Sequence, residues 1–406
     1  GPLATILASF MRSRLFIVGA SRTAFGAFGG ALKAHTATDL SVHASKAAVA
    51  AAAIPPSALR TVCIGSVTQS SPDAAYMARH VGLKTGLDLE VPALSINRLC
   101  GSGFQAVVNV AQEILLGEVE AGLAGGTESM SQAPMAVYGQ DIRWGTRLGK
   151  DLGMVDTLWS GLTDTHAGCP MGITAENLAS DFGITRAQSD AYALSSQERW
   201  AAAHSAGAFA DEISPVQVKS KKGKVDFVVD EHPRATTLEK LSKLPATFKK
   251  DGVVHAGSAS GICDGAASLV VASEAAVEQH GLKPLAELVS WAVVGVEPTR
   301  MGIGPVPAIK AAALRAGVEL SSVDRVEINE AFAPQVMACA QALKLDMART
   351  NLNGGAIALG HPLGASGARI TAHLAHVLAR GEASTAIGAA CIGGGQGIAL
   401  VLKAVP

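Results

Sequence analysis

Aromatic residues are scarce in this chain, at 4% of 406 positions, and net charge is nearly absent, at −1 at pH 7. Near neutrality excludes a nucleic-acid partner, because no basic excess is available to neutralise a phosphate backbone. Only six cysteines occur, at positions 63, 100, 169, 263, 339 and 391, and none forms a CxxC pair or other metal-ligand spacing. They are expected to be free thiols in a reducing, intracellular compartment, with no bound metal. No uninterrupted apolar run reaches the ~18–20 residues of a membrane span. Acidic residues are missing before Asp39, whereas Arg12, Arg14, Arg22 and Lys33 are present. That bias favours a mitochondrial (matrix) location over a peroxisomal or cytoplasmic one. Residues 1–10 read as a tag remnant or flexible N-terminus ahead of a start at Met11, and Ala404-Val405-Pro406 is not a peroxisomal signal.

What the chain does have is glycine, 44 of 406 residues, well above the usual ~7%, and 49% hydrophobic residues. This suits a large core of closely packed layers with several tight functional loops. Leu15–Ala20, Thr61–Val67, Val91–Ile96 and Ala121–Gly125 read as strands alternating with helices, which points to a mostly parallel α/β sheet. The pattern loosens from Met130 to about Gly257, apart from a helix that starts at Thr185 with Gln188 completing a capping box. The basic run Lys219–Lys224 in this stretch reads as a solvated hairpin tip, or as a phosphate contact. Alternation then resumes to the C-terminus. Glycine-rich strand ends recur in both halves, so the chain reads as a duplicated α/β unit with strand C-termini converging on one cleft. The expected domains are 11–130 with 258–282, an inserted loop domain 131–257 that covers the cleft, and 283–406.

The stretch Asn97-Arg98-Leu99-Cys100-Gly101-Ser102-Gly103-Phe104 lies where a strand gives way to a helical pattern. Cys100 would there face the unpaired N–H groups and positive end of a helix. This matters because a free thiol with a pKa of about 8.5 is only ~3% thiolate at pH 7, and the thiolate is the nucleophile. A small buried Cys at a crowded helix start is the competing reading. Three later stretches bear on the choice. Asn329-Glu330-Ala331-Phe332 puts an amide and a carboxylate at a strand end. Gly354–Pro362 holds His361 in a glycine-rich turn, and Cys391-Ile392-Gly393-Gly394-Gly395 puts a second Cys at a strand end. Alone, Asn329 could cap a helix, His361 could be a core imidazole, and Cys391 could be packing. Together with Cys100 they fit a nucleophile, its base, a second proton carrier and backbone oxyanion donors.

These stretches, with Gly125-Gly126-Thr127-Glu128-Ser129-Met130 and Asn353–Gly364, resemble in order the signature motifs of the thiolase family. Met130–Pro134 and Met301–Pro307 resemble the branch that degrades 3-ketoacyl-CoA in mitochondria. The resemblance implies a five-layer αβαβα sandwich of two duplicated α/β domains plus a loop domain. It implies Cys100 as the acylated nucleophile and His361 as its base. His361, with a water held by Asn329, would form one oxyanion hole, and the N–H groups of Cys100 and Gly393 the other. Cys391 would carry the proton of the acetyl-CoA α-carbon. Coenzyme A contacts carry over to Arg234, Phe248 and Ser260, and acyl contacts to Met171 and Phe332. The Arg234 match needs a one-residue gap. Short-chain members carry His immediately before the residue matching Met171, and this chain has Pro170.

The expected activity is ping-pong cleavage of 3-ketoacyl-CoA by CoA through acyl-Cys100, giving acetyl-CoA and a shortened acyl-CoA. It is reversible by Claisen condensation and needs no metal or organic cofactor, with CoA as co-substrate. A homodimer or homotetramer is expected. The alternatives are an acetoacetyl-CoA thiolase, a ketoacyl synthase, which would pair its Cys with two His or with His and Asn, and a non-catalytic CoA- or lipid-binding homologue.

Overall fold

The computed structural model describes residues 14–221 and 223–406; the reading of residues 1–10 and of Met11 falls outside them. The first half runs β1 (Leu15–Arg22), α1 (Ala37–Ala52), β2 (Val62–Gly65), α2 (Met77–Thr85), β3 (Ala93–Ile96), α3 (Ser102–Leu115) and β4 (Ala121–Ser129). Helices α4 (Met171–Asp181) and α5 (Arg186–Ser205) follow, and then β5 (Cys263–Ser273). The second half repeats the sequence of elements: β6 (Ala286–Gly295), α6 (Pro305–Ala316), β7 (Arg325–Ile328), α7 (Ala333–Leu343), α8 (Ser366–Ala379), β8 (Thr385–Ile392) and β9 (Gln396–Lys403). Where the first half has β3, the second has a single parallel bridge from Val326 to Thr350.

Strand order is β7-β8-β9-β6-β1-β5-β4-β2-β3. Among these nine strands β2 with β3, β2 with β4, and β7 with β8 pair in parallel; the central pairings are antiparallel. The expectation of a mostly parallel sheet is thus corrected to a mixed one. The physical reason is local for β8 and β9, which are joined by only Gly393, Gly394 and Gly395, and a connection that short permits antiparallel pairing alone. Gly394 and Gly395 turn the chain at φ 78° and 84°, a region open mainly to glycine.

The two half-sheets meet where β1 pairs β6 at Phe16–Glu287 and Ile17–Ala286. Alternation along the strands then builds the layers. Leu269 and Val271 of β5 join a cluster containing α3, α8 and residues of β8 and β9, whereas Val270 and Ala272 pack with α1 and α2. On the other side, Ile387 and Ala389 of β8 pack with α6 and α7. Helices α3 and α8 form the middle layer, which makes five in all. Their N-terminal turns touch: a Cβ on Gly103 would lie 2.4 Å from the Ala368 nitrogen, and one on Gly367 2.3 Å from the Phe104 nitrogen. Only glycine at both positions lets the two backbones approach this closely. That approach brings the loops before α3 and α8 together.

Among the described residues, 131–257 add no strand to the large sheet. They supply α4, α5 and two-stranded pieces, including the hairpin Val216–Ser220 with Gly223–Phe227, whose Lys219, Lys221 and Lys224 are exposed. Helix α5 begins with the expected Thr185–Gln188 capping box. Helix α4 was not expected. Among the described residues it has no side-chain cap, and it buries Thr174 and Glu176 among small residues, so its apolar pattern is weak. No helix among the described residues is long and apolar enough to cross a membrane.

Candidate active site

The nucleophile candidate sits in a short 3-10 turn, Leu99–Gly101, between β3 and α3. Leu99 is held at φ 47°, in the left-handed region, immediately before Cys100. Such strain persists only where the surroundings over-determine it. Here the Asn97 Oδ1 accepts from Leu99 N–H at 2.9 Å, the Ser102 hydroxyl donates to the Leu99 carbonyl at 2.7 Å, and Arg98 N–H donates to the Ser102 Oγ at 2.9 Å.

Cys100 is half-buried and lines a cavity of about 260 Å³ together with His361, Ser260, Phe248, Met171 and Phe332. Pro170 also lines it. The N–H groups of Gly393 and of Cys100 itself are directed at the sulfur, which brings together the two donors expected to polarise an acyl carbonyl. Burial nevertheless pushes the thiol up to about 11, and the nearby Glu128 carboxylate adds to the rise. The expectation of a thiol acidified at a helix terminus is therefore corrected: desolvation outweighs the donors. His361 moves the other way. Burial, with the Arg369 guanidinium behind it, lowers it to about 3. The resting pair is a neutral thiol and a neutral imidazole.

The tautomer follows from the hydrogen bonds. The Ser366 hydroxyl donates to the Pro362 carbonyl at 3.1 Å, so at 2.5 Å from His361 Nδ1 its oxygen accepts the Nδ1 proton. This leaves a lone pair on Nε2, to which the Asn329 amide donates at 3.2 Å. Asn329 is fully buried, does not cap α7, and its Oδ1 has no hydrogen-bond partner among the described residues. Cys391, near the end of β8, is fully buried against Phe332, Met301 and Ala331, with Met171 and Phe248 packed on the same cluster. Burial first, and Cys100 close by, raise its thiol well above the ordinary range. Phe248 and Phe332 meet edge to face at 6.2 Å. Arg234 does not join this group: it is exposed, outside the cavity lining, with its N–H on the Gln197 side-chain oxygen.

Several contributors went unassigned in the sequence. Ser366 fixes the imidazole, and its only local signal is the start of a helix five residues beyond His361. Glu128, fully buried, accepts from the N–H groups of Val67, Thr68 and Gly364 at 3.1, 2.9 and 2.9 Å, tying three loops around the turn. Glu330 faces away from the cavity and braces Tyr192 Oη, Ser196 Oγ and Ile357 N–H at 2.9, 2.6 and 3.1 Å. His255 lines the cavity with its Nε2 2.6 Å from Asp190 Oδ1.

A thiol held near 11 has a testable signature. Iodoacetamide should modify Cys100 slowly at pH 7, where on the order of 10⁻⁴ is thiolate, and about tenfold faster per pH unit up to pH ~10. Peptide mapping can follow it beside Cys169, the other cysteine that is not buried. A plateau near pH 8, as for a free thiol, would contradict control by burial.

The "Thiolase, N-terminal domain" family model matches residues 15–275, and "Thiolase, C-terminal domain" matches 282–404. The chain is 57% identical over 390 residues to the mitochondrial 3-ketoacyl-CoA thiolase of Homo sapiens, covering 96% of this chain and 98% of that one. It is 45% identical over 397 residues to a beta-ketothiolase of Cupriavidus necator, covering 97% and 100%. The crystal structure of human mitochondrial 3-ketoacyl-CoA thiolase in complex with CoA superposes with a TM-score of 0.94 at 55% identity, covering 97% of this chain and 98% of that chain. Matched by both domain models in order and by these relatives nearly end to end, the chain belongs to the thiolase family.

Proposed function

We propose that this protein is an acyltransferase that cleaves 3-ketoacyl-CoA with CoA to acetyl-CoA and a shortened acyl-CoA, as in fatty-acid β-oxidation. The observation that carries the reading is the sulfur of Cys100 under two backbone N–H donors in a cavity it shares with a neutral His361. In the forward direction His361 Nε2, released from the Asn329 amide, takes the Cys100 proton as the sulfur attacks the 3-keto carbon. The bond between C2 and C3 breaks, leaving the acyl group on Cys100, its carbonyl oxygen under the N–H groups of Cys100 and Gly393. The electron pair passes to the acetyl-CoA enolate, whose oxygen faces the protonated Nε2 and a water seated on Asn329 Oδ1. Cys391, neutral because it is buried, gives its proton to C2. The CoA thiol then attacks the acyl group, its proton restoring Cys391, while Cys100 recovers its own from His361. No step in this scheme calls on a metal or organic cofactor. Phe248 and Ser260 on the cavity wall suit the CoA arm, Arg234 its phosphate end from outside, and Met171 and Phe332 the acyl group.

The mitochondrial placement rests on the relatives named above and on the basic, acid-poor N-terminal stretch. A homodimer or homotetramer is favoured by β3, an edge strand that exposes Leu94 at 46%, because an unpaired apolar edge invites a second chain. Light scattering on the purified protein tests it.

Pro170 on the cavity wall, in place of the short-chain His, leaves room for more than four carbons. Thiolysis of 3-ketohexanoyl- and 3-ketooctanoyl-CoA is therefore expected at rates comparable with acetoacetyl-CoA. Turnover of both below a hundredth of that rate would favour the acetoacetyl-CoA thiolase reading instead. Absence of thiolysis at every chain length would leave the non-catalytic reading.

A further inference from the structure

Among the described residues two histidines line the catalytic cavity, and the scheme above uses only His361. The other, His255, is fully buried, and both of its ring nitrogens are engaged. The Gly257 N–H donates to Nδ1 at 3.1 Å, so the ring proton sits on Nε2 and goes to Asp190 Oδ1 at 2.6 Å. Burial lowers the imidazole below its ordinary pKa, which keeps the Nδ1 lone pair free for Gly257 at pH 7. Asp190, on α5, is itself fixed. Its Oδ1 accepts from Arg186 Nε at 2.8 Å, and Arg186 Nη2 donates to the Leu241 and Leu244 carbonyls at 2.7 and 2.9 Å. With both nitrogens taken, His255 acts on the backbone that follows it.

That backbone is a wall of the cavity, which Ala259, Ser260 and Gly261 all line. The Ala333 N–H donates to the Ser258 carbonyl at 2.8 Å, the Ser260 N–H to the Ala331 carbonyl at 3.0 Å, and the His361 N–H to the Gly261 carbonyl at 2.9 Å. The stretch 257–261 thus lies between the Asn329–Phe332 turn and His361, with its N-terminal end tied down by His255. From these contacts, and resting on the proposed activity, we infer that His255 is a positioning residue for coenzyme A. The chain Arg186–Asp190–His255–Gly257 sets where the inserted segment holds the Ser260 wall against the CoA arm. The His361 imidazole does not depend on this chain, because Ser366 and Asn329 fix that ring. Loss of His255 therefore falls on CoA affinity more than on the chemical steps.

The test reads CoA binding in two ways: the KM for CoA in thiolysis, and the CoA concentration that half-protects Cys100 from iodoacetamide at pH 9. His255→Ala and Asp190→Ala should each raise both by roughly 10–100-fold, the effect of leaving a buried hydrogen-bonding group unpaired. Their kcat should stay within a few-fold of wild type. The double variant should lose no more than either single one, since one chain is broken once. Asp190→Asn keeps an oxygen for the Nε2–H and for Arg186, and should restore CoA binding to nearly the wild-type level. His255→Gln reaches Asp190 with its amide but leaves the Gly257 N–H without its acceptor. It should follow His255→Ala, and it decides the matter where an alanine variant fails to fold. Unchanged CoA binding, equal losses in Asp190→Asn and Asp190→Ala, or a kcat that falls as far as KM rises each overturns the positioning role while the activity stands. A wild-type protein with no thiolysis at any chain length and no protection by CoA overturns the activity, and this role with it.

Discussion

Cys391→Ala is expected to still accumulate acetyl-Cys100 from acetyl-CoA while overall thiolysis falls by about 10²–10⁴-fold, the span of a lost general acid–base. The two half-reactions differ in what they ask of the protein. Exchange of an acyl group between CoA and Cys100 breaks and makes bonds to sulfur, with His361 taking and returning the Cys100 proton, and it moves no proton at carbon. Protonating C2 of the acetyl-CoA enolate needs an acid beside carbon. Cys391 is fully buried, its thiol raised well above the ordinary range by desolvation and by nearby Cys100, so it waits protonated. Intact-mass measurement after incubation with acetyl-CoA reads the adduct, and a chain-cleavage assay reads turnover. Cys100→Ala should show neither adduct nor turnover. Near-normal thiolysis by Cys391→Ala would assign the proton to another group.

The largest effect on stability is expected at Arg22, outside the reacting atoms. Its side chain is fully buried at the end of β1 and donates to Glu212 at 2.6 Å and to Asp230 at 2.7 and 3.1 Å. Glu212 also meets His373 Nδ1 of α8 at 2.7 Å, and Asp230 accepts from the Phe25 N–H at 2.8 Å and from Trp200 Nε1 at 3.3 Å. This one guanidinium therefore ties the first strand to the inserted segment. Arg22→Leu would leave two buried carboxylates without their cation, at a cost of about 3–5 kcal/mol. Urea denaturation at pH 7 should show the midpoint falling accordingly. Desolvation works against Glu212 ionising, yet His373 and Arg22 hold its carboxyl far below the usual range. A depressed carboxyl stabilises above its unfolded pKa of about 4.3 and loses that contribution as pH falls toward the folded value. The gap between wild type and variant should thus be full at pH 7 and narrow below pH ~4. A midpoint within experimental error of wild type at pH 7 would show that the network contributes nothing net.

By itself the sequence showed the alternation of strands and helices and the recurrence of glycine-rich strand ends in both halves, and it singled out Cys100, Asn329, His361, Cys391 and Gly393 as candidates. Each is written locally: apolar periodicity sets an element, and a polar or glycine-rich turn directly after a strand marks a site. It also showed Pro170 immediately before Met171. Helix α4 escaped because small and polar residues fill its buried face. Only the tertiary structure decided the antiparallel centre of the sheet, since strand direction depends on which distant segments pair. It also placed Arg234 outside the cavity and turned Glu330 into a brace, and it gave Ser366 its hold on the imidazole. The protonation of Cys100 belongs to the same group, because desolvation is the sum of everything packed around the sulfur and leaves no mark in eight residues. Arg22 and Glu212, 190 positions apart, and the glycine-to-backbone approach of α3 and α8 are likewise products of packing between segments that carry no local sign of one another.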